Sequence, residues 1–424
     1  MCGICGQLRF DGKDVTSESL NNMMLKLAKR GPDSSGQWTA ERIGFGHQRL
    51  SIIDLSSYGS QPMVDNKLEL TLVFNGTIYN YKSLRSQLLK KGYHFFSNSD
   101  TEVIIKAYHF WGENCLEHLD GMFAFAIWDH STKKLFVARD RMGIKPLYFN
   151  STSKAFTFAS NSQALLTQEI DRSINPVALQ QQLSLHGVVP APNTIINGIQ
   201  KLKPGSYMIL NSGGQIEEKT YWIPNAKRPD REVSNEEYIE RTHELLTAAV
   251  TKRMSASDVA IGVLLSGGLD SSLIVALLKE AGHERIRTFS IGFEDIDDEV
   301  GSEFEFSDQI VSRFETDHKK YKVSNQEVLP RLSEAVLNMA EPMVGQDAVA
   351  FYLLSEQVSK HTKVVLSGQG ADEAFAGYFW YPRMADEHGD EIDRFSKHYV
   401  DRPHKEYLQT VASKYHGDNH THNW

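Results

Sequence analysis

Cys2 is the first residue in this chain whose type and place could do chemistry. A small second residue such as cysteine permits removal of Met1, which would leave Cys2 at the N-terminus with a thiol and a free α-amine. An α-amine titrates near about 7.7–8.0, so around neutral pH part of it is free base, within reach of its own thiol. A thiolate attacks an amide carbon, and a base this close relays the proton, so one residue supplies both nucleophile and base. The competing reading makes Cys2 and Cys5 in MCGICG a C-x-x-C redox or metal pair. Only Cys115 remains elsewhere, so cysteines alone cannot build a zinc set.

A second chemical centre lies far along the chain. An unbroken apolar run, Val259–Leu265, leads straight into Ser266-Gly267-Gly268-Leu269-Asp270-Ser271-Ser272 and then a helical pattern. A turn of this kind presents backbone N–H groups at the positive end of a helix, and the hydroxyls of Ser266, Ser271 and Ser272 add donors. Gly267 and Gly268 let the backbone approach an anion closely. Asp270 would repel a bare phosphate, but it can hold Mg²⁺ that a phosphate shares. No G-x-x-x-x-G-K-[ST] occurs, and no G-x-G-x-x-G follows a strand, so neither a Walker-type nor a dinucleotide site is expected. The bland alternative is a Ser/Gly-rich βα turn with a capping aspartate.

The elements that must position these groups divide the chain into two styles. The first half alternates short apolar runs with turn residues: Leu70–Phe74, Met122–Trp128, Leu135–Ala138, Ala155–Ala159 and Ser206–Leu210 read as strands. Ser17–Ala28 and Thr101–Phe110 have helical spacing, which gives a β-rich α+β domain. Residues 213–235 are polar and broken by Gly213-Gly214, Pro224 and Pro229, as in a linker. Beyond them Glu236–Met254 and Asp270–Ala281 read as helices, and Val259–Leu265, Ile286–Gly292 and Val364–Leu366 as strands. Apolar strands alternating with helices predict a doubly wound parallel sheet buried on both faces.

The bulk composition narrows the class. A chain of 424 residues holds roughly two or three domains. Its net charge of −9 argues against nucleic-acid binding by bulk attraction, and no run is long and apolar enough to span a bilayer. Three cysteines give no disulfide framework and suit a reducing compartment, and no signal peptide is visible at the N-terminus, so a cytoplasmic enzyme is expected. His416, His420 and His422 lie in a polar tail without cysteine or acidic partners in register, and read as solvated rather than metal-binding.

SGGLDSS resembles the signature of the ATP pyrophosphatase group, which cleaves ATP between the α- and β-phosphates. Before it, in order, stand Cys2, Arg30-Gly31-Pro32-Asp33, Arg49-Leu50-Ser51-Ile52-Ile53-Asp54, Asn75-Gly76, Ser99-Asp100 and Arg139-Asp140. Ser367-Gly368-Gln369-Gly370-Ala371-Asp372-Glu373 follows it. Together these resemble a glutamine-dependent asparagine synthetase over essentially the whole chain. VFNGTIYNY, VVPAPNTI, EPMVGQDAVAFYLLSE and SGQGADEAFAGY are most similar to the N-acetylglutaminylglutamine amidotransferase branch, which amidates a dipeptide to make an osmoprotectant.

The resemblance implies an N-terminal-nucleophile glutaminase over 1–212, an αββα sandwich of antiparallel sheets. It places a linker at 213–235 and a doubly wound ATP pyrophosphatase domain over 236–424. In the first domain Cys2 would attack glutamine, with the Asn75 side chain and the Gly76 N–H as oxyanion hole. Arg49 would bind the substrate α-carboxylate and Asp100 its α-ammonium. The alternative for Arg49 and Asp100 is a surface ion-paired role. Arg139, Asp140 and Lys145 would be structural. In the second domain Leu265, Ser266, Gly267, Gly268, Asp270, Ser271, Ser272, Ile291, Ser367 and Gly368 would bind ATP, while Asp270 and Asp372 would hold Mg²⁺. A substrate carboxylate would attack the α-phosphate, and ammonia from the first domain would displace AMP from the acyl-adenylate. The acceptor would be the dipeptide or aspartate, and the resemblance allows a homodimer.

Three departures from the family pattern stand out. Thr77 occupies a place where the family commonly has a glutamate that helps hold the glutamine amine, which leaves Asp100 to carry it. Gln369 stands where asparagine synthetases often have a glutamate. After Tyr378 the family's Arg-x-Pro-Phe-x-Asp motif and a lysine facing the adenylate do not appear, so the synthetase half is expected to be C-terminally incomplete. Two other readings follow: a stand-alone glutaminase or regulatory partner, and a β-lactam-synthetase-like enzyme, against which Cys2 with Asn75-Gly76 argues.

Overall fold

Along the strand Gly3–Arg9, alternate residues enter different cores. Ile4 and Leu8 join one apolar cluster, and Cys5 joins another. Such a strand is covered on both sides, which is why the first half of the chain shows continuous apolar runs rather than simple alternation. The computed structural model describes residues 1–295, 300–343 and 347–421. It divides into two compact units, one of residues 1–225 with 339–342 and 402–424, the other of 226–338 with 343–401.

The first unit contains two six-stranded antiparallel sheets. The order in one is Gln200–Lys201, Tyr148–Ser151, Ala155–Ala159, Gly3–Arg9, Ile43–Arg49, Ser34–Ala40. The other runs Ile216–Thr220, Ser206–Asn211, Lys134–Arg139, Gly121–Asp129, Leu70–Ile78, Met63–Asp65. Ile4, Leu8 and Phe45 of the first sheet meet Val73, Ala124, Ala126 and Val137 of the second in a shared core. Leu72, Phe74, Phe123 and Phe125 turn the other way, onto the helices Tyr81–Lys90 and Asp100–Trp111. Cys5 and Ala159 turn outward onto Ser17–Leu25 and Ser162–Leu165. The layers are therefore helix, sheet, sheet, helix, as the resemblance implies.

The second unit is built on four parallel strands in the order Asp317–Val323, Arg287–Phe293, Ile261–Leu264, Val364–Leu366. Val263 and Leu265 pack with Val250 of Asn235–Ser255, Val275 of Leu269–Glu280 and Ile310 of Phe304–Phe314. Phe289 packs instead with Leu354 and Val358 of Asp347–Ser359. Helices on both faces of a parallel sheet make the doubly wound architecture.

Some elements differ from the sequence reading. The expected linker over 213–235 contains a strand, Ile216–Thr220, paired in register with Ser206–Asn211. The segment 236–424 is not one body: residues 339–342 and 402–424 belong with the first unit. Within that unit the buried Gln180 side chain donates to Asn419 Oδ1 at 2.8 Å and accepts from the His420 N–H at 2.8 Å. His416 faces the Val411 carbonyl at 2.8 Å, and His422 lies outside the described residues. No described helix is long and apolar enough to cross a membrane.

Candidate active site

Cys2 comes directly off the strand Gly3–Arg9, whose Gly3 is paired with Gln48. That register puts Cys2 beside the end of Ile43–Arg49. The Leu50 N–H donates to Cys2 Sγ at 3.4 Å, and the Arg30 Nε–H donates to the Cys2 carbonyl at 3.1 Å. Burial pushes the Cys2 thiol above its ordinary value, although Leu50 and the charge of Arg49 pull the other way. Cys5 is also a free thiol, turned into the helix-facing core, where burial raises it to about 12. All three cysteines are unpaired, which removes the support for a C-x-x-C disulfide.

Asn75 and Gly76 lie on Leu70–Ile78, opposite Ala124 and Phe123. The strand is brought to the cysteine side by His47, whose Nε2 faces the Phe74 carbonyl at 3.3 Å. Burial holds that imidazole down near about 3, so it is neutral and acts as a strut. The Asn75 side chain is fully buried, and neither its Nδ2 nor its Oδ1 has a hydrogen-bond partner among the described residues. An unsatisfied buried amide costs about 1–3 kcal/mol, and the fold tolerates one here.

Asp100 opens the helix Asp100–Trp111, whose N-cap is Ser99. Its Oδ2 accepts from the Ile78 N–H at 3.0 Å, which fixes the carboxylate next to the Asn75-Gly76 strand. A helix start favours a carboxylate ion, but burial outweighs that and raises Asp100 to about 7. Arg49 is nearly buried, and its guanidinium donates to the carbonyls of Ser56 at 3.0 Å, Ile53 at 3.5 Å and Asp54. Gly59 is needed in the turn above it, since a Cβ there would lie 2.4 Å from Arg49 Nη2. Arg49 immediately precedes Leu50, whose N–H reaches Cys2 Sγ, and Asp100 is bonded to the strand that carries Asn75.

Arg139 donates to the carbonyls of Lys145, Gly143 and Leu202, while Asp140 accepts from Phe123, Ile144 and Lys145. Those bonds join strand to loop, as a structural motif should. Lys145 also lies near the N-terminus: its Nζ donates to Met1 Sδ at 3.0 Å, and burial followed by the Arg30 charge lowers it to about 8.

In the second unit, Ile261–Leu264 runs through the 266–268 turn into Leu269–Glu280, with Gly268 as N-cap. Gly267 has φ +94°, and a Cβ on it would stand 2.4 Å from Ser307 N. Ser266 Oγ and Ser271 Oγ are 3.0 Å apart, and the Gly268 N–H donates to Ser266 Oγ at 3.2 Å. The Ser272 hydroxyl is buried without a partner among the described residues. Gly368 lies against the helix start, where a Cβ would be 2.8 Å from that of Asp270. Ile291 sits on the neighbouring strand Arg287–Phe293, and Asp372 on the short helix Ala371–Phe375. Among the described residues no three histidine, cysteine or carboxylate side chains gather at one point.

Residues 1–222 match the family described as a glutamine amidotransferase domain, and residues 241–421 the one described as asparagine synthase. Asparagine synthetase [glutamine-hydrolyzing] 1 of Bacillus subtilis (strain 168) is 36% identical over 90% of this chain and 59% of its own length. Asparagine synthetase [glutamine-hydrolyzing] 3 of the same organism is 33% identical over 90% of this chain and 64% of its own. A putative asparagine synthetase of Methanocaldococcus jannaschii is 35% identical over 89% of this chain and 76% of its own length. The chain belongs to the glutamine-hydrolysing asparagine synthetase family. It spans about three fifths of the length of the two Bacillus synthetases.

Within this synthetase-family chain, sequence reasoning gave no role to Asp54, which closes a quoted motif, and passed over His47 and Glu102. Glu102 is fully buried and accepts from the N–H groups of Phe96 and Ser97 and from Ser97 Oγ, which holds the loop ahead of Asp100. The spacing Ser99-x-x-Glu102 is the available signal, because it matches a capping box at a helix start.

Proposed function

We propose that this chain hydrolyses glutamine at Cys2 and uses the ammonia to amidate a carboxylate that ATP has activated. The observation that carries the reading is the buried, unpartnered amide of Asn75, on the strand that also fixes Asp100, a donor held in place for a charge yet to form. An oxyanion would satisfy it, and one such donor is typically worth about 10²–10³ in rate.

With Met1 removed, the Cys2 α-amine would lie one residue along from the Met1 amine, which burial, with the charges of Arg30 and Lys145, lowers to about 5. A free-base amine there takes the proton of a thiol whose own titration burial has raised. Sulfur then attacks the amide carbon, and Asn75 Nδ2 and the Gly76 N–H receive the oxyanion. Ammonia leaves, and water hydrolyses the thioester to glutamate. Arg49 would take the α-carboxylate and Asp100 the α-ammonium.

In the second unit the 266–272 turn, Ile291 and Ser367-Gly368 would hold ATP, with the unpartnered Ser272 hydroxyl as a phosphate donor. The acceptor carboxylate attacks the α-phosphorus, pyrophosphate leaves, and ammonia displaces AMP from the adenylate. Mg²⁺ takes one or two carboxylates together with phosphate oxygens and water, and Asp270 and Asp372 would be those carboxylates. When bound it would neutralise charge on the phosphates. The acceptor we favour is N-acetylglutaminylglutamine, on Thr77, Gln369 and the 341–352 segment, with aspartate as the alternative; residues 344–346 lie outside the described residues.

The test is AMP release by the purified chain with ATP, Mg²⁺ and glutamine, with the dipeptide in one tube and aspartate in the other. AMP in one tube names the acceptor. Glutamate without AMP in either tube supports a glutaminase acting alone, and neither product would sink the whole reading.

The Asp100 carboxyl also sets a pH dependence. It must be ionised to bind an ammonium, and burial holds it protonated below about 7 in the unliganded protein. Glutamine binding then expels a proton, so KM for glutamine should rise as pH falls below about 7, approaching tenfold per unit. Above that value it should be flat. Asp100→Asn should raise KM and remove the slope, and a wild-type KM independent of pH from about 5 to 8 would refute the assignment.

A further inference from the structure

Asp54 sits between the two side chains assigned to hold the ends of glutamine. Its backbone has φ +50°, a left-handed turn that aspartate tolerates better than most residues. The turn sends its carbonyl one way and its side chain another. The carbonyl accepts from Arg49 Nη2. The carboxylate accepts from the Asn98 N–H through Oδ2 at 2.8 Å, and from Ser56 N and Ser56 Oγ through Oδ1. Asn98 leads into Ser99, whose Oγ accepts the Thr101 N–H at 3.0 Å, and so into Asp100. Ser56 in turn lends its own carbonyl to Arg49 Nη1 at 3.0 Å.

One nearly buried residue thus ties the Arg49 guanidinium to the loop that delivers the Asp100 carboxylate. Resting on the glutaminase reading above, we propose that Asp54 is a positioning residue that sets the separation of Arg49 and Asp100. It thereby makes the site selective for an α-amino acid amide. It touches neither the reacting carbon nor the thiol. Its carboxylate accepts from N–H and O–H groups on both sides of the turn. Replacing it by asparagine turns one acceptor oxygen into an N–H donor facing either Asn98 or Ser56, so one of the two ties is lost while size is kept.

The test uses the full chain and three readouts on Asp54→Asn. KM for glutamine should rise at least about tenfold while kcat stays within about threefold, because geometry at the thiol is untouched. Inactivation by 6-diazo-5-oxo-L-norleucine, which carries both α groups, should slow by a similar factor. Alkylation of Cys2 by iodoacetamide, which carries neither, should proceed at the wild-type rate. An unchanged glutamine KM overturns the proposal, and so does iodoacetamide alkylation slowed as much as the diazo reagent, since that marks general distortion. Should Asp54→Asn not fold, Gly59→Ala presses a methyl on Arg49 Nη2 without removing the carboxylate, and the same threefold pattern is required of it. Wild-type protein that releases no glutamate would instead remove the glutaminase reading on which the proposal stands.

Discussion

Cys2→Ala is expected to remove glutamine-dependent ammonia release by at least about 10³-fold, since no other group can form the thioester. Cys5 cannot substitute, because it is buried in the helix-facing core with its thiol raised to about 12. The fold should be untouched, as the side chain is small and its hydrogen bonds are weak ones to the Leu50 N–H and carbonyl, while the Arg30 bond to the Cys2 carbonyl is kept. The informative part is what survives. Amidation supplied with free ammonia instead of glutamine should continue within about twofold, because the ATP chemistry is assigned to side chains in the other unit. Equal loss of both activities would sink the two-site mechanism. Retention of Met1 should mimic the substitution: it converts the amine assigned as the base into an amide, so N-terminal sequencing or intact mass must accompany the assay.

How the site came to be legible depends on what each residue does. Leu70–Ile78 and Gly121–Asp129 announced themselves as strands because both faces are buried, which demands consecutive apolar residues. Gly3–Arg9 is equally buried, but Gly6 fits between Phe45 and Phe158 and Gln7 bonds Thr157, so its sequence looks like neither strand nor helix. Asp317–Val323 was missed for the opposite reason. It is an edge strand whose Lys319, Lys320 and Lys322 are the charges that protect an edge from further pairing.

The residues assigned to catalysis were visible through their types and the motifs around them; the residues that hold them in place were not. Asp54 closes a quoted motif, but its carbonyl bond, its left-handed turn and its contact 44 residues away could not be read from that motif. Arg49 could be read as a carboxylate clamp, but not that three carbonyls would fix it before any substrate arrives. Such preorganisation is where binding geometry is decided, and it is encoded in the chain's path.

Gly267→Ala is the second substitution with a large expected effect. The residue has φ +94°, which costs an alanine about 1–2 kcal/mol, and the added Cβ would stand 2.4 Å from Ser307 N and 2.5 Å from the Phe306 carbonyl carbon. Those are backbone atoms at the start of Phe304–Phe314, beside the fully buried Ser307, so they cannot swing aside as a side-chain tip would. The turn itself must move, and with it the N–H groups assigned to the phosphates. ATP affinity, measured by calorimetric titration with Mg²⁺, should fall at least about 30-fold, while glutaminase kcat and KM stay within about twofold. Gly282→Ala separates strain from contact. Its φ is +89°, but nothing lies within 4 Å of the added Cβ, and it follows the far end of Leu269–Glu280. That variant should melt at a lower temperature yet bind ATP normally. If the two variants bind ATP alike, the close approach of the loop backbone is not what makes the site, and the assignment of 266–272 to the nucleotide fails.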